Sequence, residues 1–228
     1  MEFVPQPLCV VAHIHSDFPE KFGIPRQSGI IDELQATIEF VPEYRSIQAV
    51  RGLENFSHLW LLWQFSECVG KGWSPTVRPP RLGGNTRMGV FATRSPFRPN
   101  NIGLSCVRLL KVDTEGAAAP ILHIAGADLM DGTPILDIKP YLPYADSVPT
   151  ATGGFALQSK ADILQVEFPD ALLSRIAPEK RAALLRVLAQ DPRPAYQADP
   201  ARIYGLCFAG YTVKFTVSQN ILLVTDVQ

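Results

Sequence analysis

Four short segments of the chain combine charged, amide or aromatic side chains with proline, glycine or serine, a mixture typical of binding loops. Pro25, Arg26 and Gln27 could present a guanidinium and an amide to a ligand. Ser66 and Glu67 follow a run of aliphatic and aromatic residues and place a carboxylate where it could meet a cation. On local grounds, residues 25–27 could equally be ordinary surface.

The third segment, residues 94–100, contains two arginines, a phenylalanine and two prolines, which make a stiff platform for an anion or a base. The fourth begins with Asp-Gly-Thr-Pro at residues 131–134 and continues to Tyr141. Within it, Asp137 and Lys139 would lie on one face of a strand, because side chains two residues apart point the same way. This charged pair could belong to a functional site, or it could be a structural ion pair beside a glycine turn.

Charge is distributed unevenly along the 228 residues, although the net charge is only −1. No acidic residue occurs between Glu67 and Asp113, and the same stretch holds eight basic residues, which leaves −9 for the rest of the chain. Six of the eight are arginines, which bind phosphate or carboxylate with two parallel hydrogen bonds. The stretch therefore indicates a phosphate-bearing partner, with a solvated surface as the alternative. Its basic residues are Lys71, Arg78, Arg81, Arg87, Arg94, Arg98, Arg108 and Lys111.

Several signatures of other protein classes are missing. The sequence has no Gly-x-Gly-x-x-Gly, P-loop, His-Glu-x-x-His or Gly-x-Ser-x-Gly motif, so a doubly wound nucleotide-binding fold is not expected. The four cysteines are scattered without a Cys-x-x-Cys pair, which predicts reduced thiols and no metal site. The N-terminus does not resemble a secretion signal, and the longest apolar stretch, residues 59–63, is too short to span a membrane. We therefore expect a soluble cytoplasmic protein.

Hydrophobic periodicity favours β-structure in the first two thirds of the chain. Seven short apolar runs without intervening helices predict an antiparallel barrel or sandwich. After residues 149–154 the pattern changes, so we predict a mainly β protein with a β-domain at 1–150 and a smaller α+β domain at 151–228. The predicted strands are 8–15, 36–41, 57–65, 88–93, 102–112, 121–127 and 135–139 in the first domain and 163–168, 203–208, 211–217 and 221–224 in the second, with helices starting near Pro169 and Pro178.

Three long runs make the sequence recognisable. Residues 49–60 (AVRGLENFSHLW), 78–100 (RPPRLGGNTRMGVFATRSPFRPN) and 131–146 (DGTPILDIKPYLPYAD) resemble the TsaA-like family. Residues 188–196 (LAQDPRPAY) resemble the longer bacterial members of that family. Its members are tRNA methyltransferases that act on N6-threonylcarbamoyladenosine, the modified base next to the anticodon. One departure is Asn101, where the family pattern has proline; we expect it to change the stiffness of the loop and not the chemistry.

The resemblance implies an N-terminal antiparallel β-barrel, S-adenosylmethionine as the cofactor, the anticodon stem-loop of tRNA as the partner, and a homodimer. By their chemistry, Arg26 or Arg94 could bind the cofactor's carboxylate, and Glu67 or Asp131 could accept a hydrogen bond from its amine or ribose. The cofactor-binding positions that the resemblance implies are Pro25, Arg26, Gln27, Ser66, Glu67, Arg94, Leu129, Asp131, Gly132, Thr133 and Pro134.

The implied substrate constrains the catalytic residues. Its target nitrogen lies between a purine and a carbamoyl group, so the lone pair is delocalised and becomes nucleophilic only as the proton leaves. Asp137 and Lys139 are the preferred candidates for handling that proton or orienting the ureido group, with Tyr141 next. The threonyl carboxylate needs a cation, which Arg98 or Lys139 could supply. The residues expected to contact RNA are Arg78, Arg81, Arg87, Arg98, Arg193 and Tyr196.

Two other functions are compatible with the sequence. One is a non-catalytic RNA-binding barrel that uses the same arginines and aromatic residues without a cofactor. The other is a methyltransferase of the same fold that acts on a small molecule. The segments at 25–27 and 131–134 favour a cofactor pocket over the binding module, and the basic stretch favours RNA over a small metabolite.

Overall fold

The N-terminal part of the chain, up to residue 140, forms a closed barrel. The computed structural model describes residues 7–79, 86–158, 163–193 and 199–228. Six antiparallel strands close the barrel in the order β1-β2-β7-β6-β3-β8, which confirms the predicted mainly β fold. These strands are β1 (Ala12–His15), β2 (Gln35–Phe40), β3 (His58–Gln64), β6 (Ile102–Asp113), β7 (Ile121–Ala125) and β8 (Pro134–Pro140).

Strand β3 shows why the apolar runs belong to a barrel wall. Leu59, Leu61 and Trp63 are buried inside, whereas the alternate residues Trp60 and Leu62 lie on the half-exposed outer face. This period of two is the pattern of a sheet with one buried face. The interior is filled by aliphatic side chains from all around the barrel, including Ile14, Ile38, Leu59, Leu61, Val107, Leu122, Ile124 and Ile135.

The chain segment that connects β3 to β6 forms a separate two-stranded sheet outside the barrel. It pairs β4 (Thr76–Val77) with β5 (Met88–Gly89), so the predicted strand at 88–93 was too long. Val90–Ala92 forms a 3₁₀ turn instead. The pairing ends where the Val90 N–H reaches the carbonyl of Pro75, because a proline has no N–H to continue the ladder. The turn leaves the Phe91 side chain exposed.

The second part of the chain is a four-stranded sheet covered by a helix. After α1 (Pro143–Asp146), the sheet order is β10-β11-β12-β9, with β9 (Gln165–Glu167), β10 (Tyr204–Phe208), β11 (Tyr211–Ser218) and β12 (Ile221–Val227). The helices are α2 (Asp170–Leu173) and α3 (Pro178–Ala189). Proline in the first turn and Glu179 beside the positive end of the dipole explain the start of α3. Its residues Leu184, Val187 and Leu188 pack into the core.

The connection between β1 and β2 joins the two parts. Phe18, Ile31 and Leu34 are buried in the core of the second sheet, and the Phe18 ring lies 5.4 Å from that of Phe208. The core of the second sheet therefore includes residues from the N-terminal part, and the domain boundary at residue 150 stays a prediction.

Within the described ranges, no helix has the length and apolar character needed to cross a membrane. Nor do any three His, Cys, Asp or Glu side chains in those ranges group in a way that could hold a metal ion.

Candidate functional site

A cavity of about 690 Å³ lies against the barrel wall. Four pieces of chain form it: the β1–β2 connection, residues 63–68 from the end of β3 through the 3₁₀ turn Ser66–Cys68, residues 93–104 up to the start of β6, and the residues that follow β7. These are distant in sequence and meet only because β3, β6 and β8 are neighbours in the barrel. The residues predicted to bind a cofactor that line this cavity are Pro25, Arg26, Gln27, Ser66, Glu67, Arg94, Leu129 and Thr133.

The side-chain amide of Gln27 positions the arginines on the basic side of the cavity. The Arg94 guanidinium donates a hydrogen bond to Oε1 of Gln27, and the Gln27 amide donates to the carbonyl of Arg26. These bonds connect the β1–β2 connection to the segment before β6. They leave two arginines, Arg26 and Arg94, on one side of the cavity, where an anionic group can bind.

The carboxylate of Glu67 pairs with a lysine at the cavity wall. Lys21 Nζ lies 3.0 Å from Glu67 Oε2, and this hydrogen bond raises the pKa of Lys21. The Lys21 side chain is largely exposed and that of Glu67 is about half exposed. A ligand that hydrogen-bonds to Glu67 therefore competes with, or joins, an existing ion pair.

Asp128 is a lining residue that the sequence interpretation missed. The indole Nε1 of Trp63 donates to Ser105 Oγ at 3.0 Å, and Ser105 Oγ donates to Asp128 Oδ1 at 2.6 Å. Burial raises the pKa of the Asp128 carboxyl, while the Ser105 hydrogen bond and the charge of Arg94 oppose that effect. The sequence offered one indication of Asp128, a carboxylate that follows an apolar strand and Gly126. This pattern does not identify a site unless the fold is known.

Gly103 completes the wall beside this chain of hydrogen bonds. It lies opposite Trp63 in the β3–β6 pairing, and a Cβ atom there would come within 2.3 Å of the indole ring. Only a residue without a side chain leaves room for the indole, so Gly103 fixes where Trp63 sits.

The predicted segment 131–134 contributes less than expected. Thr133 lines the cavity, but Asp131, Gly132 and Pro134 are not among its lining residues. The Asp131 carboxylate accepts a hydrogen bond from the Ser16 backbone N–H at 3.1 Å and lies 3.5 Å from His15 Nδ1. Asp131 therefore stabilises the start of the β1–β2 connection, and its role in cofactor binding stays a prediction.

A wider groove of about 1970 Å³ shares a wall with the cavity. Arg26 and Arg94 line both, and Arg78, Arg87 and Arg193 line the groove alone. Among the described residues that line it, the single acidic one is Asp191. The Asp191 carboxylate is held by Arg193 through two 2.8 Å hydrogen bonds. The groove is therefore strongly electropositive, although the Arg193 guanidinium is already engaged.

The other predicted RNA contacts are distributed differently. Arg98 lines the cavity, donates to the carbonyls of Thr93 and Ser95 at 2.8 and 3.3 Å, and lies 5.8 Å from the centre of the Phe91 ring. Its role is at least partly to shape the segment 93–98. Arg81 and Tyr196 lie outside the described residues.

The three predicted catalytic side chains are not among the cavity-lining residues. Asp137 and Lys139 lie on the outer face of β8, as the strand pattern predicts, and Tyr141 follows that strand with its ring 5.8 Å from that of Trp60. Asp137 pairs with Leu62 on β3, which pairs with the cavity residue Leu104 on β6. Two strand spacings therefore separate the acid from the cavity rim, roughly 10 Å.

Family models match almost the whole chain. The model described as "tRNA-methyltransferase O N-terminal domain" matches residues 13–147, and that described as "TrmO C-terminal domain" matches residues 161–228. The chain belongs to the tRNA-methyltransferase O (TrmO) family, which confirms the resemblance carried by its sequence motifs.

Individual relatives agree with this assignment. The chain is 44% identical over 213 residues to the tRNA (adenine(37)-N6)-methyltransferase of Escherichia coli (strain K12), covering 90% of each sequence. It is 41% identical over 133 residues to a protein of Pyrococcus abyssi named "Probable S-adenosyl-L-methionine-binding protein", covering 58% of this chain and 66% of that protein. The crystal structure of TrmO from Pseudomonas aeruginosa superposes with a TM-score of 0.78 at 34% identity, covering 99% of this chain and 100% of that one.

Proposed function

We propose that this protein transfers a methyl group from S-adenosylmethionine to N6 of threonylcarbamoyladenosine, next to the anticodon of tRNA. The observation that carries the proposal is the shared wall between a ligand-sized cavity and a groove rich in arginine. The E. coli relative is named a tRNA methyltransferase acting at N6 of adenine 37, which supports the same reaction here.

The cavity fits the cofactor in size and chemistry. Its volume of about 690 Å³ lies within the range of small-molecule sites. Arg26 and Arg94 would bind the carboxylate of the cofactor, Glu67 would accept hydrogen bonds from its polar groups, and the apolar side chains of Phe65 and Leu129 would contact the adenine. When bound, the cofactor supplies the methyl group on a sulfonium.

The groove fits an RNA loop. Arg78 and Arg87 provide exposed positive charge for phosphates. Phe91 and Phe97 line the same groove with their rings 74% and 43% exposed, so unpaired bases can stack on them. An anticodon loop offers a partner to each, since its phosphates are negatively charged and its bases are unpaired.

Asp137 and Lys139 remain the candidates for handling the proton of N6. They share the outer face of the barrel with Leu104, so a base extending from the cavity across β6 and β3 would reach them. The same face would be accessible to a second subunit, and the homodimer implied by the resemblance belongs to this proposal. We also place the protein in the cytoplasm, where its tRNA substrate would be.

The test is methyl transfer from labelled S-adenosylmethionine to tRNA prepared from cells whose threonylcarbamoyladenosine lacks the N6-methyl group. We expect incorporation into tRNA that carries threonylcarbamoyladenosine and none into the unmodified transcript of the same tRNA. Incorporation into the transcript would overturn the proposed substrate. Binding of tRNA without any transfer, and without binding of S-adenosylmethionine in isothermal titration, would favour the non-catalytic RNA-binding barrel.

A further inference from the structure

The carboxylate of Asp128 occupies an unusual position in the cavity. Asp128 and Glu67 are the two acidic residues among the described residues that line it. Glu67 is about half exposed and already paired with Lys21, whereas Asp128 follows β7 and is less accessible. The two carboxylates therefore differ in how strongly they would respond to a positive charge inside the cavity.

The hydrogen bonds around Asp128 orient it as an acceptor. Ser105 Oγ already receives the indole N–H of Trp63, so its single proton points to Asp128 Oδ1 at 2.6 Å. Ser105 is 1% exposed, and Trp63 is held against Gly103, so this arrangement is rigid. The fold thus presents a fixed carboxylate at the surface of the cavity.

Holding a charge at this position costs free energy in the absence of a ligand cation, because burial disfavours the ionised form. The charged group that faces Asp128 from the neighbouring segments is Arg94, whose guanidinium also donates a hydrogen bond to Gln27. A ligand cation placed in the cavity would offset this cost, since opposite charges attract more strongly at a partly buried site than in bulk water.

We propose that Asp128 binds a cationic group of S-adenosylmethionine, its ammonium or its sulfonium, within the cavity. This inference rests on the proposed function and adds a recognition residue that the sequence motifs do not contain. It also explains why Trp63, Ser105 and Gly103 are arranged as they are: together they hold one carboxylate in a fixed orientation.

Proton linkage follows from this role. A bound cation favours the ionised carboxylate and lowers the pKa of Asp128 from its raised value in the free protein. Binding therefore releases a proton at a pH below that raised value, and affinity for the cofactor decreases as the solution becomes more acidic through that range.

The experiment is isothermal titration of the full-length wild type and the Asp128→Asn variant with three ligands. S-adenosylmethionine carries both cations, S-adenosylhomocysteine carries the ammonium alone, and methylthioadenosine carries neither. Asp113→Asn is the matched control, because that carboxylate pairs with Lys111 at the end of β6 and does not line the cavity. Ser105→Ala, which removes the orienting hydroxyl, is the second variant.

We expect Asp128→Asn to weaken S-adenosylmethionine binding about tenfold or more, with methylthioadenosine unaffected. An equal loss for S-adenosylhomocysteine identifies the ammonium as the bound group, and an unchanged S-adenosylhomocysteine affinity identifies the sulfonium. Wild-type affinity for all three ligands in both variants would overturn the inference, and so would an equal loss for all three. Failure of the wild type to bind any of them would instead contradict the proposed function.

Discussion

Lys139 Nζ lies 2.8 Å from Asp137 Oδ2 on the outer face of the barrel, where both side chains are about half exposed. An exposed ion pair of this kind contributes about 0–1 kcal/mol to stability. Leu62 lies opposite Asp137 on β3, so the charged pair sits beside an apolar part of the surface. Stability alone gives little reason for two charges at this place, which leaves chemistry as the role to test.

Asp137→Asn should slow the chemical step without weakening cofactor binding. If Asp137 handles the proton of N6, the single-turnover rate of methyl transfer falls by about 100-fold or more. The free energy of unfolding should change by about 0.5 kcal/mol or less, because the side chain is about half exposed and its ion pair is open to solvent. A single-turnover rate equal to that of the wild type would exclude Asp137 from proton handling.

Charge reversal at Arg87 should weaken tRNA binding through electrostatics. Arg87 lines the groove and donates one hydrogen bond of 3.3 Å to Thr76 Oγ1. We expect Arg87→Glu to raise KM for tRNA and to reduce the salt dependence of binding by about one unit of slope. Arg108→Glu is the control, since this exposed arginine belongs to the same basic stretch but does not line the groove. Equal effects of the two variants would mean that only net charge matters.

The exposed ring of Phe91 should contribute to RNA binding by stacking. Loss of one base–aromatic stack costs about 1–3 kcal/mol, so Phe91→Ala should weaken tRNA binding by about fivefold or more. Phe91→Tyr keeps the ring and should bind as the wild type does. Because the side chain is 74% exposed, neither variant should lower the unfolding temperature measurably. Wild-type affinity in the alanine variant would show that bases do not stack there.

The contact between Asp17 and Lys180 should stabilise the junction of the two parts. Lys180 Nζ donates to both carboxylate oxygens of Asp17 at 2.7 Å, and the Asp17 side chain is 13% exposed. Asp17→Asn leaves the ammonium with a weaker partner, so urea unfolding should show a loss of about 1–3 kcal/mol. Glu20→Gln, an exposed change in the same connection, should have almost no effect. A single unfolding transition would show that the barrel and the second sheet unfold together.

The raised pKa of Asp128 predicts how stability depends on pH without ligand. Between its usual value of 3.8 and the raised value, the folded protein keeps a proton that the unfolded chain has released. The contribution of Asp128 therefore becomes less favourable as pH rises through that window. Asp128→Asn should remove this dependence and be at least as stable as the wild type at neutral pH. A marked destabilisation at neutral pH would assign the carboxylate a structural role.

The contribution of Asp113 to stability should depend on pH in the opposite direction to that of Asp128. Its hydrogen bond to Lys111 lowers the pKa of the Asp113 carboxyl, so its contribution is present above 3.8 and is lost as pH falls through the lowered value. Comparing Asp113→Asn with Asp128→Asn in urea unfolding between about pH 2 and pH 8 separates the two directions, because the Asp113 window lies below 3.8 and the Asp128 window above it. The Asp113 side chain is 30% exposed and its partner Lys111 is 62% exposed, so water screens the pair and its effect should be small.

The short apolar runs are a local property of the sequence, and they predicted an antiparallel barrel or sandwich; the family resemblance then favoured the barrel. It placed Pro25, Glu67, Arg94 and Leu129 in one site through motif resemblance, since their spacing alone shows no proximity. Asp128 was missed because its environment depends on Ser105, which comes from another strand.

The orientation of Asp131 was also beyond local reasoning. Nothing near residue 131 indicates that its carboxylate accepts a hydrogen bond from Ser16, 115 residues earlier. The strand predicted at 88–93 was too long for a similar reason, because its pairing partner ends at Pro75. Sequence patterns thus identified the elements, while tertiary contacts decided which side chains enter the cavity.

Gly103 has an evolutionary consequence. Its backbone does not need the left-handed region, so the indole of Trp63 alone demands the missing side chain. In related sequences, a larger residue at 103 should therefore occur only with a smaller one at 63. Replacing that indole would also remove the donor to Ser105 and loosen Asp128. Substitutions at positions 63, 103, 105 and 128 should consequently be correlated among related sequences.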